Sequence, residues 1–519
     1  MGLGTWLTTP RIYILLLALI LTLRSPTLLD SMYLVDEGYS GAIASEMLYG
    51  GAIYETAVDM RAPFIYYSYY GVFLLAGQNN LFAIHLVAIL IVFVVAALTR
   101  TIGSWLAGTQ AGGWASLGFV LFSHSYLPRD TLAANIEIFT LLPLTFGLFL
   151  FLSGNRNRRR VTLALSGVMI SVAMFYRQPS VLYMAVFGAY FLYVWLIAKV
   201  IDGRIALSHA LSTLFGFVAC TAALIAWHQS QGNWDSLVFW VWTTSKRYIA
   251  VDTTLGFVLR RFLLFHITFI LAGALLWFFG VGELIRRIRA AVTRHNEEDA
   301  AWVVIIGWFA VSYATVYLGW RFTGHYHLLI IPPLALFAGK ALTAFVNRRC
   351  TATEKHPRRI VAGIAAAALV PAAGFLIMAF VIREQTVAFK PITQYVTAHT
   401  NQTDRIFVWG SAPQVYSFSN RRMASRMTTC AYLVGMFASR PRNGDIDESK
   451  WIVPGSWDML ARDFKAHPPE LIVDMSPVSN DWARHPMSKY PFMAAYLTGY
   501  QKETSVIGAD IYRRILPDS

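Results

Sequence analysis

The chain has 519 residues, of which 56% are hydrophobic and 14% are charged, and its formal net charge is +14. Soluble domains contain about a quarter charged residues, so this composition excludes an ordinary soluble protein and indicates an integral membrane protein. The positive charge does not indicate a nucleic-acid partner, because Lys and Arg cluster in short segments between apolar runs, as they do in membrane proteins. Cys220, Cys350 and Cys430 are far apart and predict neither a disulfide framework nor a metal site.

Apolar runs of about 18 to 20 residues predict about eleven transmembrane helices. The first run is interpreted as a retained span, because no small-residue cleavage pattern follows it. The predicted spans are residues 11–23, 81–99, 111–125, 133–152, 161–176, 179–199, 208–228, 262–281, 301–320, 325–345 and 359–382. A further apolar run at 64–77 is shorter than a typical crossing.

The basic loops decide whether the run 64–77 crosses the membrane. If Arg11 is cytoplasmic and 64–77 does not cross, the basic clusters in the later loops all face the cytoplasm. If 64–77 crosses, the same clusters all face outward, against the positive-inside rule. The sequence therefore predicts an outer juxtamembrane helix at 64–77. The segments predicted to lie outside are 24–80, 126–132, 177–179, 229–261, 321–325 and 383–519.

The composition changes at about residue 383. The segments 404–410 and 470–475 have the continuous apolar pattern of buried strands, and each follows a stretch with amphipathic helical periodicity. No glycine-rich loop opens a helix after either strand, so no nucleotide site is predicted. We therefore predict a polytopic α-helical membrane protein, with a transmembrane domain at 1–382 and a small C-terminal α/β extracytoplasmic domain at 383–519.

Polar side chains recur at the predicted outer ends of spans, where a charge is costly and indicates a functional site. Each one alone is more often a helix cap or a snorkelling side chain than a catalytic residue. Their occurrence on one face predicts a polar cavity at the outer membrane boundary. The pairs are Asp36 and Glu37, Asn135 and Glu137, Arg177 and Gln178, and His325 and Tyr326.

The opening loop also carries a family pattern. The pair Asp36–Glu37 begins it, in VDEGYSGAIASEMLYGG, and Asp59, Arg61 and Pro63 then precede an aromatic helix. Further phrases are AANIEIF, YRQPS, HYHLLIIPPLALFAG and DRIFVWGSAPQVYSFSNRR. Together these stretches resemble the GT-C glycosyltransferases, in the branch of the dolichyl-phosphate-mannose protein mannosyltransferases and the bacterial aminoarabinose transferases of lipid A. Arg61 stands where that family usually has Lys, and alanine replaces the first of its two usual prolines.

The resemblance implies an inverting glycosyltransferase, of hexosyl or pentosyl type, in the inner or plasma membrane. It would move a sugar from a polyprenyl-phosphate donor to a hydroxyl of a lipid, glycan or protein acceptor on the extracytoplasmic side. Asp36 would deprotonate the acceptor, and Glu37 would orient Asp36 or bind sugar. Asp59 and Arg61 would lie at the cavity mouth, with Arg61 near the donor phosphate. The other implied substrate-binding residues are Asn135, Glu137, Arg177, Gln178, His325 and Tyr326, with Lys246 and Arg247 as weaker candidates.

Three alternatives stay open. No cofactor is expected, because this branch is generally metal-independent, but Asp36, Glu37 and Asp59 could together bind a divalent cation. A transporter or flippase of lipid-linked glycans is the alternative function; it predicts discontinuous helices at the bilayer midplane and internal repeats. A structural scaffold, or a merely solvated acidic loop, would leave the clustered outer charges unexplained.

Overall fold

The computed structural model describes residues 7–29, 32–249, 253–351, 357–437, 447–479 and 481–515. Its helices are Arg11–Arg24, Val35–Leu48, Phe64–Ala76, Leu81–Ala107, Thr109–Phe122, Pro128–Thr131, Ile136–Arg156, Arg160–Tyr176, Leu182–Leu192, Gly203–Ser230, Trp234–Leu237, Ser245–Ile249, Leu255–Arg261, Thr268–Ala272, Ala274–Thr293, Glu297–Val316, Ile331–Thr351, Pro357–Thr386, Lys390–Ala398, Gln414–Ser419, Ala431–Val434, Ser456–Ala466 and Pro491–Tyr496. The predicted class, a polytopic helical membrane protein with a small C-terminal sheet, is confirmed.

Nine helices in the described ranges are long and apolar enough to cross a membrane. Two predicted spans form shorter helices, Thr109–Phe122 with 14 residues and Arg160–Tyr176 with 17 residues. The predicted span 262–281 is interrupted at Gly273, where one helix ends and Ala274–Thr293 begins. The number of membrane crossings, about eleven from the sequence, therefore stays a prediction. The nine candidates are Arg11–Leu28, Leu81–Ala107, Ile136–Arg156, Gln178–Ile197, Gly203–Ser230, Leu255–Ala272, Glu298–Val316, Gly324–Arg349 and Ala362–Ile382.

The chain forms two compact units, each assembled from separate stretches of sequence. The membrane unit consists of Met1–Leu29, His85–Trp227 and Val258–Ile382. The sheet unit consists of Asp30–Ile84, His228–Phe257 and Arg383–Ser519. The opening loop therefore packs with the C-terminal residues. The predicted division into a transmembrane domain at 1–382 and a small extracytoplasmic α/β domain at 383–519 stays a prediction.

The sheet unit contains one five-stranded mixed sheet with strand order β2-β1-β3-β5-β4. β1 lies between β2 and β3 and is parallel to both, whereas β5 is antiparallel to β3 and β4. The predicted strands 404–410 and 470–475 are confirmed as β1 and β3. Their apolar residues are almost all buried, as in parallel strands covered on both faces. The strands are β1 Arg405–Trp409, β2 Arg422–Met423, β3 Leu471–Asp474, β4 Tyr500–Val506 and β5 Ala509–Arg514.

Two helices of the opening loop position the acidic residues. We call Val35–Leu48 the acidic helix and Phe64–Ala76 the tyrosine helix, and the two pack against each other. The tyrosine helix corresponds to the predicted juxtamembrane helix at 64–77. Its 13 residues span about 20 Å, less than the roughly 30 Å of a bilayer core. Its position at the membrane surface stays a prediction.

The acidic helix is fixed against the sheet through its far end. Glu46 accepts hydrogen bonds from the backbone N–H of Met423, at 2.9 Å, and from Nη2 of Arg422, at 3.1 Å. Nearer its start, the helix lies so close to the Gln414 segment that a Cβ added to Gly38 would be 2.8 Å from the Gln414 backbone nitrogen. The absence of a side chain at Gly38 therefore allows this contact.

We expect Gly38→Ala to lower the thermal unfolding midpoint of the purified protein, because the new methyl group must displace backbone. Overpacking of this kind typically costs about 1–3 kcal/mol. Gly71→Ala, in the tyrosine helix, is the matched control, because a Cβ there meets no heavy atom within 4 Å. The control should be neutral or slightly stabilising, by up to about 1 kcal/mol. Equal midpoints for the two variants would contradict the close approach.

Candidate functional site

A guanidinium between two carboxylates forms the centre of the sheet unit's polar site. Nη2 of Arg61 donates to Oδ1 of Asp36 at 2.5 Å, and Nη1 of Arg61 donates to Oδ2 of Asp59. Asp36 is the second residue of the acidic helix, whereas Asp59 and Arg61 lie just before the tyrosine helix. The structure thus brings together three of the predicted residues, and we call them the Asp–Arg–Asp triad.

The two carboxylates of the triad have different surroundings. The side chain of Asp59 is 2% exposed, whereas that of Asp36 is 19% exposed. Asp59 accepts further hydrogen bonds from the hydroxyls of Tyr66 and Tyr432, both at 2.8 Å, and from the backbone N–H of Met60. A buried carboxylate needs such donors to offset its lost hydration. Asp59 is therefore a buried anchor for Arg61.

Asp36 is the accessible member of the triad. One of its oxygens, Oδ1, is held by Arg61, and Oδ2 accepts no hydrogen bond from any residue that the structure describes. Its place in the first turn of the acidic helix also favours a negative charge, because the backbone N–H groups there point towards it. Asp36 is therefore an oriented carboxylate with one oxygen that no described residue holds.

The charge state of Arg61 is fixed by its two partners. Burial alone would lower the pKa of the guanidinium, but the charges of Asp36 and Asp59 outweigh burial and raise that pKa well above the usual arginine range. The guanidinium also lies 5.0 Å from the centre of the Tyr39 ring. Since two carboxylates surround one cation, the triad carries a net negative charge. This charge balance suits proton acceptance better than binding of an anionic phosphate.

Glu37 points back towards the start of its own helix. Its Oε2 accepts hydrogen bonds from the backbone N–H groups of Tyr33, at 2.7 Å, and Leu34, at 3.1 Å. A glutamate at the third helical position often accepts in this way from backbone N–H groups before the helix, which have no partner within the helix. Glu37 is fully buried. Its contacts fix the turn that presents Asp36, and its predicted catalytic role stays a prediction.

The predicted basic candidates of the segment 229–261 do not join the triad. Lys246 is exposed and Arg247 is half-buried, and neither makes an ion pair within the described ranges. Their neighbour Ser245 instead donates its hydroxyl to the carbonyl of Met60 at 2.8 Å. In the same segment, the Trp240 ring centre lies 5.1 Å from that of Tyr432. This loop thus packs against the residues that surround Asp59.

The membrane unit holds a second polar cluster, built from predicted residues and Asp130. Nδ1 of His325 lies 2.9 Å from Oδ1 of Asp130, and the backbone N–H of His325 donates to the same oxygen at 3.2 Å. Nε2 of His325 lies 4.0 Å from Oε2 of Glu137. Oε1 of Glu137 in turn lies 3.5 Å from Nε of Arg177. Acidic and basic groups therefore alternate along one buried chain of contacts.

Arg177 is the member of this cluster with spare bonding capacity. It is 8% exposed, and its Nη1 is buried without a hydrogen-bond partner among the described residues. Its guanidinium carbon lies 5.2 Å from the centre of the Tyr326 ring. A buried, unsatisfied N–H of a guanidinium is costly. It therefore indicates a place for an oxygen atom of a bound molecule or water.

The remaining predicted residues take supporting places. The Asn135 side chain accepts from the backbone N–H of Ile138, at 3.2 Å, and donates to the carbonyl of Asp130, at 3.1 Å. Asn135 is therefore the N-cap of the helix Ile136–Arg156 and a link to the cluster. Gln178 is half-buried and begins a short 3-10 turn after Arg177.

Asp130 and Tyr432 were not among the predicted site residues. Asp130 stands in a predicted outer turn five residues before Asn135, so its place beside a predicted pair was a usable signal. Tyr432 follows the strand β2 and has no motif around it. Its contact with Asp59 joins residues 373 positions apart, and no local pattern reports such a pairing.

The contacts of Asp36, Glu37 and Asp59 show whether these three residues could together bind a divalent cation. Within the described residues, no group of three or more His, Cys, Asp or Glu side chains is placed to hold a metal ion. Asp36 and Asp59 face a guanidinium, and Glu37 accepts from the backbone of its own helix turn. A divalent cation would have to displace Arg61 to bind both aspartates, so the donor set in this arrangement does not fit a cation.

We expect Asp130→Asn to lower the thermal unfolding midpoint, because it replaces the charged acceptor of a buried hydrogen bond with a neutral amide, and hydrogen bonds to charged groups are worth about 1.5–3 kcal/mol. Burial alone would raise the pKa of Asp130, but the hydrogen bonds and charge of His325 lower it. An acid with a lowered pKa stabilises the fold above its unfolded-state pKa of about 3.9 and loses that effect as the pH falls further. The midpoint difference between wild type and variant should therefore be present at about pH 6 and shrink below about pH 4.

The control for this prediction is Asp202→Asn. Asp202 is an exposed acid of the membrane unit whose side chain accepts only a local hydrogen bond from the backbone N–H of Arg204. Its substitution should change the midpoint little at either pH. A midpoint for Asp130→Asn equal to that of wild type at about pH 6 would contradict the buried pair.

Comparisons with solved structures place the fold among known ones. ArnT from Cupriavidus metallidurans, bound to undecaprenyl phosphate, is similar with a TM-score of 0.63 at 14% identity, over 96% of this chain and 97% of that one. The AglB oligosaccharyltransferase of Archaeoglobus fulgidus, in complex with an inhibitory peptide and a dolichol-phosphate, has a TM-score of 0.58 at 10% identity, over 97% of this chain and 74% of that one.

A further structure of the Archaeoglobus fulgidus oligosaccharyltransferase, tethered with an acceptor peptide containing the NVT sequon, has a TM-score of 0.56 at 11% identity, over 98% of this chain and 74% of that one. No protein-family model and no curated protein sequence matches the chain. At these identities the likeness concerns the fold, which is the GT-C fold that the resemblance predicted.

Proposed function

We propose that this protein is an inverting glycosyltransferase that moves a sugar from a polyprenyl-phosphate donor to an acceptor hydroxyl. The observation that carries the proposal is the Asp–Arg–Asp triad, in which Asp36 is oriented by Arg61 and keeps one oxygen without a partner among the described residues. A carboxylate in this state can act as general base towards a hydroxyl bound at its second oxygen. The GT-C fold supplies the wider context.

The chemistry needs one base and no nucleotide. Oδ2 of Asp36 takes the proton of the acceptor hydroxyl while the acceptor oxygen attacks C1 of the sugar. The bond between C1 and the phosphate oxygen breaks, and its electron pair leaves with the polyprenyl phosphate. Because attack and departure occur on opposite faces of C1, the configuration there is inverted. The phosphate is a good leaving group, so the step needs no general acid.

The residues around Asp36 receive positioning roles. Arg61 holds Oδ1 of Asp36, and Asp59 holds Arg61. Glu37 fixes the helix turn through its bonds to the backbone of Tyr33 and Leu34. Arg61 was expected near the donor phosphate, but its fork is already bonded to two carboxylates. We therefore assign it to orientation of the base rather than to phosphate binding.

The polar cluster of the membrane unit is proposed to bind substrate. Arg177, whose Nη1 is unsatisfied, can donate to an oxygen of a phosphate or a sugar. Glu137 and the Tyr326 ring lie beside the Arg177 guanidinium, and His325 lies beside Glu137. Asn135 and Gln178 support the two turns from which this cluster is built.

The solved relatives in fold support the donor class. The ArnT structure contains undecaprenyl phosphate, and the AglB structure contains a dolichol-phosphate and an inhibitory peptide. We propose that this protein likewise takes a polyprenyl-phosphate sugar, hexose or pentose, and passes it to a lipid, glycan or protein. We further propose that it lies in the inner or plasma membrane, with the triad on the extracytoplasmic side, where the positive-inside rule puts the opening loop.

The direct test incubates the purified protein with a panel of polyprenyl-phosphate sugars and acceptors and measures release of free polyprenyl phosphate. We expect Asp36→Asn to reduce release by at least about 100-fold, the lower end of a general base's contribution, while donor binding persists. Asp458→Asn is the matched control. Asp458 is also an acid in the first turn of a helix of the sheet unit, but it is exposed and outside the triad.

The outcomes separate the two candidate functions. A glycosyltransferase releases polyprenyl phosphate and forms a glycosylated acceptor. A flippase of lipid-linked glycans moves the intact donor between leaflets and releases none. Full transfer activity in Asp36→Asn would remove Asp36 as the base, and loss of activity in Asp458→Asn as well would show that the effect is not specific to the triad.

A further inference from the structure

The edge of the C-terminal sheet at the carboxyl end of β1 contacts the opening loop. β1 has parallel neighbours on both sides, because the chain passes from β1 to β2 on one side and then to β3 on the other. In α/β sheets, ligands bind beyond the carboxyl ends of the strands at such a switch point. The residues that follow β1, Gly410 and Ser411, lie at this edge.

Two contacts connect this edge to the triad. The Ser411 hydroxyl shares a hydrogen bond of 2.5 Å with the hydroxyl of Tyr39, the residue whose ring Arg61 covers at 5.0 Å. Burial raises the pKa of Tyr39 to about 12, although its bond to Ser411 and the charge of Arg61 act in the opposite direction. Tyr39 is therefore neutral at physiological pH, and its ring faces the cation without adding a charge to the site.

The segment after β2 makes the second connection. The backbone N–H of Cys430 donates to the Gly410 carbonyl at 2.9 Å, which holds this segment at the end of β1. The Thr428 hydroxyl donates to the carbonyl of Val58 at 2.7 Å. Two residues beyond Cys430, the Tyr432 hydroxyl donates to Oδ1 of Asp59 at 2.8 Å. The segment that follows β2 thus contacts Asp59, the buried member of the triad, through a direct hydrogen bond.

We infer that the C-terminal sheet is part of the catalytic apparatus, and that Tyr432 is a positioning residue that acts on Asp36 through Asp59 and Arg61. Without the Tyr432 hydroxyl, Oδ1 of Asp59 keeps the N–H of Met60, and Oδ2 keeps Arg61 and Tyr66. Oδ1 of Asp59 then has one donor fewer, and it can attract the Arg61 guanidinium away from its present orientation. This inference rests on the proposed function, because it assigns Tyr432 to orientation of the proposed base.

A purely structural tyrosine and a positioning tyrosine differ in what their loss changes. Loss of a structural hydroxyl lowers stability and the amount of active protein. Loss of a positioning hydroxyl lowers kcat per folded molecule and leaves the KM for donor unchanged, since a positioning residue acts through Asp59 and Arg61 and not on the donor. A positioning effect must also depend on Asp59, so the two substitutions should not be additive.

The experiment measures kcat, donor KM and unfolding midpoint for Tyr432→Phe, Asp59→Asn and the double variant, in full-length protein in detergent or vesicles. We expect kcat to fall about 10-fold in Tyr432→Phe, in line with loss of one hydrogen bond to a charged group. The donor KM should be unchanged, and the double variant should lose little more than Asp59→Asn alone. The matched control is Tyr500→Phe, which removes a buried hydroxyl that donates to the Pro469 carbonyl at 2.7 Å, away from the triad; its kcat should match that of wild type.

The results that overturn the inference differ from those that overturn the proposed function. An active wild type with an unchanged kcat in Tyr432→Phe, or with fully additive losses in the double variant, overturns the inference alone. A folded wild type that is inactive towards the whole donor panel overturns the proposed function, and the inference with it. If Tyr432→Phe is not recovered folded, Ser411→Ala tests the same sheet edge through Tyr39, and an unchanged kcat there overturns the inference.

Discussion

The bridge from Asp36 through Arg61 to Asp59 is the interaction on which the rest of the proposed site depends. A guanidinium presents a planar fork of N–H groups, so one side chain can hold two carboxylates in fixed directions. Arg61 is the shared partner, so its removal would leave two carboxylates without their cation, which is costly where the groups are buried. The bridge also gives the two acids unequal roles: Asp59 is enclosed by tyrosine hydroxyls, and Asp36 keeps an accessible oxygen.

This bridge is not built by the opening loop alone. The acidic helix is held at Glu46 by the backbone of β2, and Asp59 is held by Tyr432 from the segment that follows β2. The sheet unit is therefore one assembly of early, middle and late sequence, although a division into domains along the chain separates these parts. An α/β sheet with no nucleotide signature serves here as a support for acidic residues contributed by a distant loop.

The sequence was informative where the physical signal is local. Long apolar runs identify most of the membrane helices, and buried apolar strands such as β1 and β3 are recognisable from their composition. Asp36, Asp59 and Arg61 stood out because charged residues are rare in so apolar a chain. The helix break at Gly273 and the role of Tyr432 were not predictable, because the first depends on packing and the second on a contact across most of the chain. The function of Glu37 as a cap was not predictable either, because Leu34 at the N-cap lacks the side-chain oxygen of the usual capping signature.

In the proposed mechanism, Asp36 receives the proton of the acceptor hydroxyl. The most direct measurement is an experimental structure of the wild-type protein with an unreactive donor analogue and an acceptor bound. We expect the acceptor hydroxyl at about 2.6–3.2 Å from Oδ2 of Asp36, the range expected for proton transfer to a general base, with Arg61 still bonded to Oδ1. An acceptor hydroxyl bound beside a different carboxylate, with Asp36 outside hydrogen-bond reach of it, would contradict the proposed mechanism.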